Sequence, residues 1–303
     1  MEDCMITVLL STYNGSKYLK NQLDSLIAQS YKDFEIIARD DGSSDDTLMI
    51  LKSYGIKLLE SERNLGAKGS FGELLKYALR NSDTKYFMFC DQDDVWQSDK
   101  IEKTLTKMQY MENKYGDMPL LVHTDLEVVD EKLNTLAGSF WHYQNINPAQ
   151  DRLNTLILQN IVTGCTMMIN RKLAQMIEDV PVEAVMHDWW IAMVASAFGK
   201  IGYIKEPLML YRQHSNNDTG AKNYGIEYFI KKFLQKQDFS KYTLQARKFF
   251  EVYGDKLDKP SQEMLEKFSH LEKMNWLEKR VFLVKHEILK NGIVRNIGLM
   301  VRV

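Results

Sequence analysis

The chain has 303 residues, 45% of them hydrophobic and 26% charged, the composition of a soluble globular protein with room for one large domain and an appendage. The longest uncharged run, Leu153 to Asn170, is broken by Asn, Gln, Thr and Gly and is no transmembrane span, and Met1-Glu2-Asp3 is acidic where a secretory signal would be basic. The net charge of −2 is uneven: residues 220–303 hold 17 Lys/Arg against 10 Asp/Glu, and residues 1–219 hold 22 against 31. A basic tail behind an acidic body suits a polyanionic partner or an anionic membrane surface.

In chain order, Met5–Leu10 is a continuous apolar run, fitting a strand buried on both faces. The polar loop 11–15 follows, then Leu19, Leu23, Leu26 and Ile27 on one helix face. Phe34–Ala38 predicts a second strand, and Asp45 or Asp46 a cap for a helix ended by Gly55. Ile56–Leu59, a helix through Phe71 and Leu79, the strand Tyr86–Cys90 and a helix from Asp99 complete the alternation. Such repetition means βαβ units and a parallel sheet, whose ligands bind beyond the carboxyl ends of the strands. The loops 11–15, 39–44 and 90–96 all lie at those ends and should share one crevice.

From residue 117 the pattern is α+β. Strands are expected at 120–123, 126–129, 166–169, 202–204 and 208–211, with Pro207 marking an edge or a strand start, and a helix at His187–Phe198. Residues 216–220 read as a linker into a Lys-rich helical extension, so the expected division is 1–219 and 220–303. Cys4, Cys90 and Cys165 have neither metal-ligand nor disulfide spacing, and a reducing cytoplasm is expected.

The stretch Cys90-Asp91-Gln92-Asp93-Asp94-Val95-Trp96 places three carboxylates directly after a buried strand. A helix-cap cluster explains one of them. Asp91 and Asp93, two apart, can both face the crevice, and their repulsion falls if Mn²⁺ or Mg²⁺ sits between them and a diphosphate. Asp94 reads as a turn or cap residue and Trp96 as a packing or acceptor-side wall. In Arg39-Asp40-Asp41-Gly42-Ser43, Asp40 ends its strand and can accept the N3–H of uracil or thymine, with Thr12, Tyr13 and Asn14 walling the base. Asn64 and Gly66 open a tight loop before a helix, suited either to close approach of a nucleotide or sugar or to plain helix entry. Walker A chemistry is absent there.

Together "TVLLSTYNG", "RDDGSSDDT", "RNLG", "CDQDDVW" and "HDWW" resemble a family-2 inverting glycosyltransferase of GT-A fold over roughly residues 5–215. The resemblance implies a Rossmann-like, mostly parallel sheet flanked by helices. It implies a nucleotide-diphosphate-sugar donor, Asp91 and Asp93 on metal and diphosphate, Asp40 on the base and Asp188 as general base. His187 stands where the family usually has an acid. The resemblance also implies that Arg212 or His214 reaches the diphosphate or the metal, and that Gly164 allows close approach of sugar or acceptor. Trp189 and Trp190 read equally as core or as acceptor platforms.

The pattern is most similar to bacterial rhamnosyltransferases of polysaccharide assembly, implying dTDP-L-rhamnose as donor and a saccharide or lipid-linked saccharide acceptor, with a UDP-hexose as the other donor. Competing readings are a phosphotransferase with Asp91 as nucleophile and a non-catalytic nucleotide-sugar-binding protein. The extension interleaves aromatics and lysines, as in Tyr228, Phe229, Lys231, Lys232 and Phe233. It fits an amphipathic helix packed on the body or a peripheral membrane anchor. No nucleic-acid motif occurs, and no such partner is expected.

Overall fold

A computed structural model describes residues 5–61, 63–177, 179–214 and 238–303. Strands β1 (Ile6–Thr12), β2 (Phe34–Asp40), β3 (Lys57–Glu60) and β4 (Tyr86–Cys90) alternate with helices α1 (Ser16–Ile27), α2 (Thr47–Ser53) and α3 (Gly66–Asn81). The four strands pair in parallel in the order β3-β2-β1-β4, with Thr12 opposite Asp40 and Leu10 opposite Cys90. Helices cover both faces, so every residue of β4 is buried, as a continuous apolar run requires.

After the two-residue β5 (Val95–Trp96) and α4 (Lys100–Tyr115) come β6 (Leu120–Val129), β7 (Thr135–Ala137), α5 (Phe140–Tyr143) and α6 (Leu153–Leu156). Next are β8 (Met168–Asn170), α7 (Arg171–Ile177), α8 (His187–Phe198) and β9 (Lys200–Arg212). These strands extend the sheet as β4-β8-β6-β9-β5, with β7 on β6. β8 is antiparallel to both β4 and β6, while β9 is parallel to β6, so the sheet is all-parallel through the first four strands and mixed beyond them.

Two expected pairs of short strands prove to be single long ones. The breaks at Thr124/Asp125 and around Pro207 are register shifts within the β6–β9 ladder, not strand ends. Pro207 therefore lies inside β9, between β6 and β5, where the irregularity absorbs its missing N–H.

The extension is helical: α9 (Ser240–Tyr253), α10 (Lys259–Ser269), α11 (Trp276–Lys285) and α12 (Ile293–Arg302). Asp258 caps α10 through Ser261 N–H, and Asn275 with Glu278 forms a capping box on α11. These helices share an apolar core with the body. Trp190 packs on Phe249 at 5.3 Å and Trp189 on Tyr242 at 5.6 Å between ring centroids. Both tryptophans are buried, which assigns them to the core and not to an acceptor platform. α8 is apolar nearly all round because α9 covers the side the sheet leaves. Cys4, the linker 216–220 and the aromatic–lysine stretch 228–233 fall outside the described residues.

Candidate active site

A cavity of about 340 Å³ opens at the carboxyl ends of β1, β2 and β4, where the alternation places ligands. The first loop enters it through Ser11 and Tyr13, the second through Asp41, and the loop before α3 through Asn64 and Gly66. Tyr13 is half exposed, its backbone clamped by Gln92, which accepts from Tyr13 N–H at 2.8 Å and donates to its carbonyl at 2.9 Å. Asn14, at φ 47°, accepts from Ser44 N–H at 2.9 Å and donates its own N–H to Ser43 Oγ at 2.8 Å, joining the first two loops.

Asp40 and Thr12 are not among the residues that line the cavity and lie beneath its wall. Thr12 Oγ donates to Asp40 Oδ1 at 2.9 Å, and Ser43 occupies the same carboxylate with its N–H at 2.8 Å and its hydroxyl at 2.6 Å. Both residues are about 1% exposed, so their polar atoms hold the turn together. The cavity-facing carboxylate of that loop is Asp41. It pairs with Arg39 and accepts from the N–H groups of Leu65 (2.8 Å) and Gly66 (2.8 Å), fastening the Asn64–Gly66 loop to the end of β2. Gly66 has φ +66°, which explains a glycine at that helix entry.

Beyond β4, Asp91, Gln92 and Asp93 line the cavity. His214 Nε2 lies 2.8 Å from Asp93 Oδ2, so a residue at the end of β9 meets the acidic turn. Arg212 is buried instead of facing the cavity. Its Nε donates to the Asp93 carbonyl at 2.8 Å, its Nη1 to the Glu131 carbonyl at 2.7 Å, and its guanidinium lies 4.6 Å from the Tyr18 ring centre. Arg212 thus shapes the acidic turn from behind.

Asp94 is neither a cap nor a surface turn residue. It is fully buried, accepts Arg212 N–H at 3.0 Å, and its Oδ2 has no hydrogen-bond partner among the described residues. Burial first, then the charges of Asp93 and Asp91, push its carboxyl well above the usual carboxylate range. Ligand atoms of Asp91, Asp94 and Cys165 lie within 4.8 Å of one another. Lys100 lies behind this turn, buried, its Nζ donating to the Cys165 carbonyl at 2.6 Å and lying 4.1 Å from the Trp96 ring centre. Trp96 is therefore a packing residue.

The far wall carries Thr163, Gly164, Met186, His187 and Asp188. Asp188 opens α8, accepting from Trp189 N–H at 2.6 Å and from Gly164 N–H at 3.0 Å. It keeps part of its surface open, yet the protein packed around it raises its carboxyl to about 7 by desolvation, against the opposing pull of those hydrogen bonds. His187 is buried beside Phe71 and Phe89, at 4.3 and 5.6 Å between ring centres, and desolvation lowers it to about 3, so it stays neutral. A Cβ on Gly164 would lie 2.8 Å from His187 Nε2, which is why the turn facing α8 has no side chain there.

Of the residues expected from sequence, Tyr13, Asn64, Gly66, Asp91, Asp93 and Asp188 line one cavity, and His214 joins it through Asp93. Asp41, Phe71 and Tyr211 also line it and were not expected to. Asp41 had a signal, since it is the second acid of the same Asp-Asp-Gly turn. Tyr211 and Phe71 had none beyond apolar patterning.

Comparison with known proteins agrees with this geometry. Residues 7–177 match the family described as Glycosyl transferase family 2. The chain is 30% identical over 242 residues to an uncharacterized glycosyltransferase of Rickettsia prowazekii (strain Madrid E), covering 77% of this chain and 74% of that protein. It is 29% identical over 223 residues to the dTDP-rhamnosyl transferase RfbG of Shigella flexneri, covering 70% of this chain and 74% of that one. The chain spans half or less of the length of four further rickettsial relatives. Its fold resembles that of the mannosyltransferase PcManGT from Pyrobaculum calidifontis, solved with GDP-Man and Mn²⁺. The TM-score is 0.52 at 14% identity, over 94% of this chain and 86% of that one.

Proposed function

The chain belongs to glycosyl transferase family 2, and from that premise we propose that it transfers a sugar, with inversion, from a nucleoside-diphosphate donor to a saccharide or lipid-linked saccharide in bacterial polysaccharide assembly. The donor is dTDP-L-rhamnose in the first reading and a UDP-hexose in the second; the likeness to a dTDP-rhamnosyl transferase favours the first. The observation that carries the reading is the carboxyl of Asp188, raised to about 7 at the mouth of a helix, on the wall of the cavity that also holds Asp91 and Asp93.

In this reading Asp188, ionised, takes the proton of the acceptor hydroxyl as that oxygen attacks the anomeric carbon. The new C–O bond forms as the bond to the diphosphate breaks. Trp189 N–H and Gly164 N–H hold the carboxylate in place, and neutral His187 adds no competing charge beside it. Tyr13, Asp41, Asn64 and Gly66 border the nucleotide end, with Asp40 and Thr12 shaping the loop beneath.

Oxygen donors with one imidazole suit Mn²⁺ or Mg²⁺, and the buried Asp94 Oδ2 beside Asp91, with no hydrogen-bond partner among the described residues, suits a cation or a proton there. Asp91, Asp93 and His214 would hold the metal, which when bound neutralises the diphosphate as it leaves. Family membership sets aside the Asp91-nucleophile phosphotransferase and the non-catalytic binder.

A lipid-linked acceptor would bring the protein to the inner face of the cell membrane. No helix among the described residues is long and apolar enough to cross one, and in this reading the C-terminal extension makes the contact.

The test is incubation with dTDP-L-rhamnose, UDP-glucose and UDP-N-acetylglucosamine, each with Mn²⁺ and with EDTA, reading thermal shift and release of nucleoside diphosphate. Stabilisation and turnover with one donor, lost on chelation, is the expected result. A protein neither stabilised by nor active on any of them would overturn the reading.

A further inference from the structure

Large apolar side chains on a soluble surface are ordinarily scattered singly. Here, among the described residues, eight of the seventeen exposed ones fall between Trp276 and Val301. On α11, Leu277, Val281 and Val284 face outward, opposite the buried Phe282 and Leu283, and Trp276 is exposed at the first position of the helix. On α12, Ile293, Ile297 and Val301 recur every four residues, with Val294 beside them, opposite the buried Leu299. Each of these eight is more than half exposed, and Ile293 reaches 80%. Arg280 links the two helices, donating to the Val301 carbonyl on α12 at 3.4 Å while its guanidinium lies 3.8 Å from the Trp276 ring centre on α11. Arg295 anchors α12 to the body through the Asn145 carbonyl at 2.8 Å, so the face is presented on a fixed support.

Charge selects the occupant. Residues 273–303 hold seven Lys or Arg against two Asp or Glu, and Lys285 is exposed next to Val284 on α11. Long basic side chains lay their stems along apolar surface while their ends reach phosphates. An exposed apolar face in a segment of net positive charge matches the boundary between acyl chains and anionic headgroups. A neutral protein groove would match the apolar part and leave the charge unanswered.

We propose that the exposed apolar faces of α11 and α12 are a docking surface for an anionic lipid bilayer, with Trp276, Ile293, Ile297 and Val301 entering the headgroup–acyl boundary. The surface is separate from the cavity, so it needs no sugar donor, and its failure is distinguishable from failure of the glycosyltransferase reading.

Trp276 supplies the readout. The other four tryptophans, Trp96, Trp141, Trp189 and Trp190, are buried, so a blue shift of emission on adding vesicles reports Trp276. The whole chain is mixed with phosphatidylcholine vesicles, and with vesicles carrying about a third phosphatidylglycerol, at low and high salt. Blue shift and co-sedimentation with the anionic vesicles, weakened by salt, are expected. Combined Ile293→Ser, Ile297→Ser and Val301→Ser should weaken binding about tenfold or more. These side chains are exposed, so the thermal midpoint should hold. Equal partition onto both vesicle types, or none onto either, overturns the proposal. So does a concentration-dependent dimer that the same substitutions abolish, because a second copy would then be the occupant.

Discussion

The N–H of Gly164 donates to Asp188 Oδ2 at 3.0 Å, joining a turn before β8 to the first residues of α8. The absence of a side chain on Gly164 also leaves the space that His187 Nε2 fills, since a Cβ there would lie 2.8 Å away. One glycine therefore fixes the carboxylate through its amide and the neighbouring imidazole through its missing Cβ. Gly164→Ala should lower the thermal midpoint by the equivalent of about 1–3 kcal/mol and reduce turnover together with it. An unchanged melt with full turnover would show that the turn yields at no cost.

Asp188→Asn removes the group that accepts the proton but keeps its size. Turnover should fall about 100- to 10,000-fold while donor affinity, read by calorimetry, stays within about twofold of wild type. Retained turnover would remove Asp188 from the base role.

The raised carboxyl of Asp188 also gives pH signatures of opposite sign for activity and stability. Only the ionised form acts as base, so turnover should climb through about pH 7. Its folded value lies above the ordinary one, so the native protein keeps a proton that the unfolded chain has released. The resulting stabilisation is full below about pH 4 and is lost as pH rises through about 7. Relative to wild type, Asp188→Asn should gain stability from pH 5 to pH 8, by at most about 3 kcal/mol. A constant difference across that range, in denaturant melts, would contradict the desolvated carboxyl.

His214 and Asp93 are far apart in sequence but 2.8 Å apart in space. If both hold the metal, His214→Ala and Asp93→Asn should each weaken Mn²⁺-dependent donor binding about 10- to 100-fold. Both should leave metal-free binding of the nucleotide unchanged. Donor affinity that ignores EDTA in wild type would remove the metal from the account.

Asp41 ties the Asn64–Gly66 loop to the end of β2 through the amides of Leu65 and Gly66. Asp41→Ala would leave Arg39 buried beside a lost partner and release that loop. A loss of about 3 kcal/mol or more in stability is expected, with weaker donor binding, because a buried charge is left uncompensated. Asp41→Asn, keeping the size and one acceptor oxygen, should lose less.

The alternation of apolar runs with helical faces determined the first four strands, their parallel pairing and the crevice beyond their carboxyl ends. Those features follow from local periodicity and from the rule that short crossovers bury both faces of a sheet. Loop position put Asp91 and Asp93 at that crevice, and the family resemblance added Asp188, which lines the same cavity. The tertiary structure alone decided which of two adjacent acids faces that cavity. Asp40 and Asp41 look alike in sequence, as do Asp93 and Asp94. Thr12 and Arg212, brought from elsewhere in the chain, together with Ser43 of the same turn, occupy Asp40 and Asp94 and leave Asp41 and Asp93 on the cavity wall. Periodicity is local and counts residues, whereas exposure of a carboxylate depends on partners that only folding supplies.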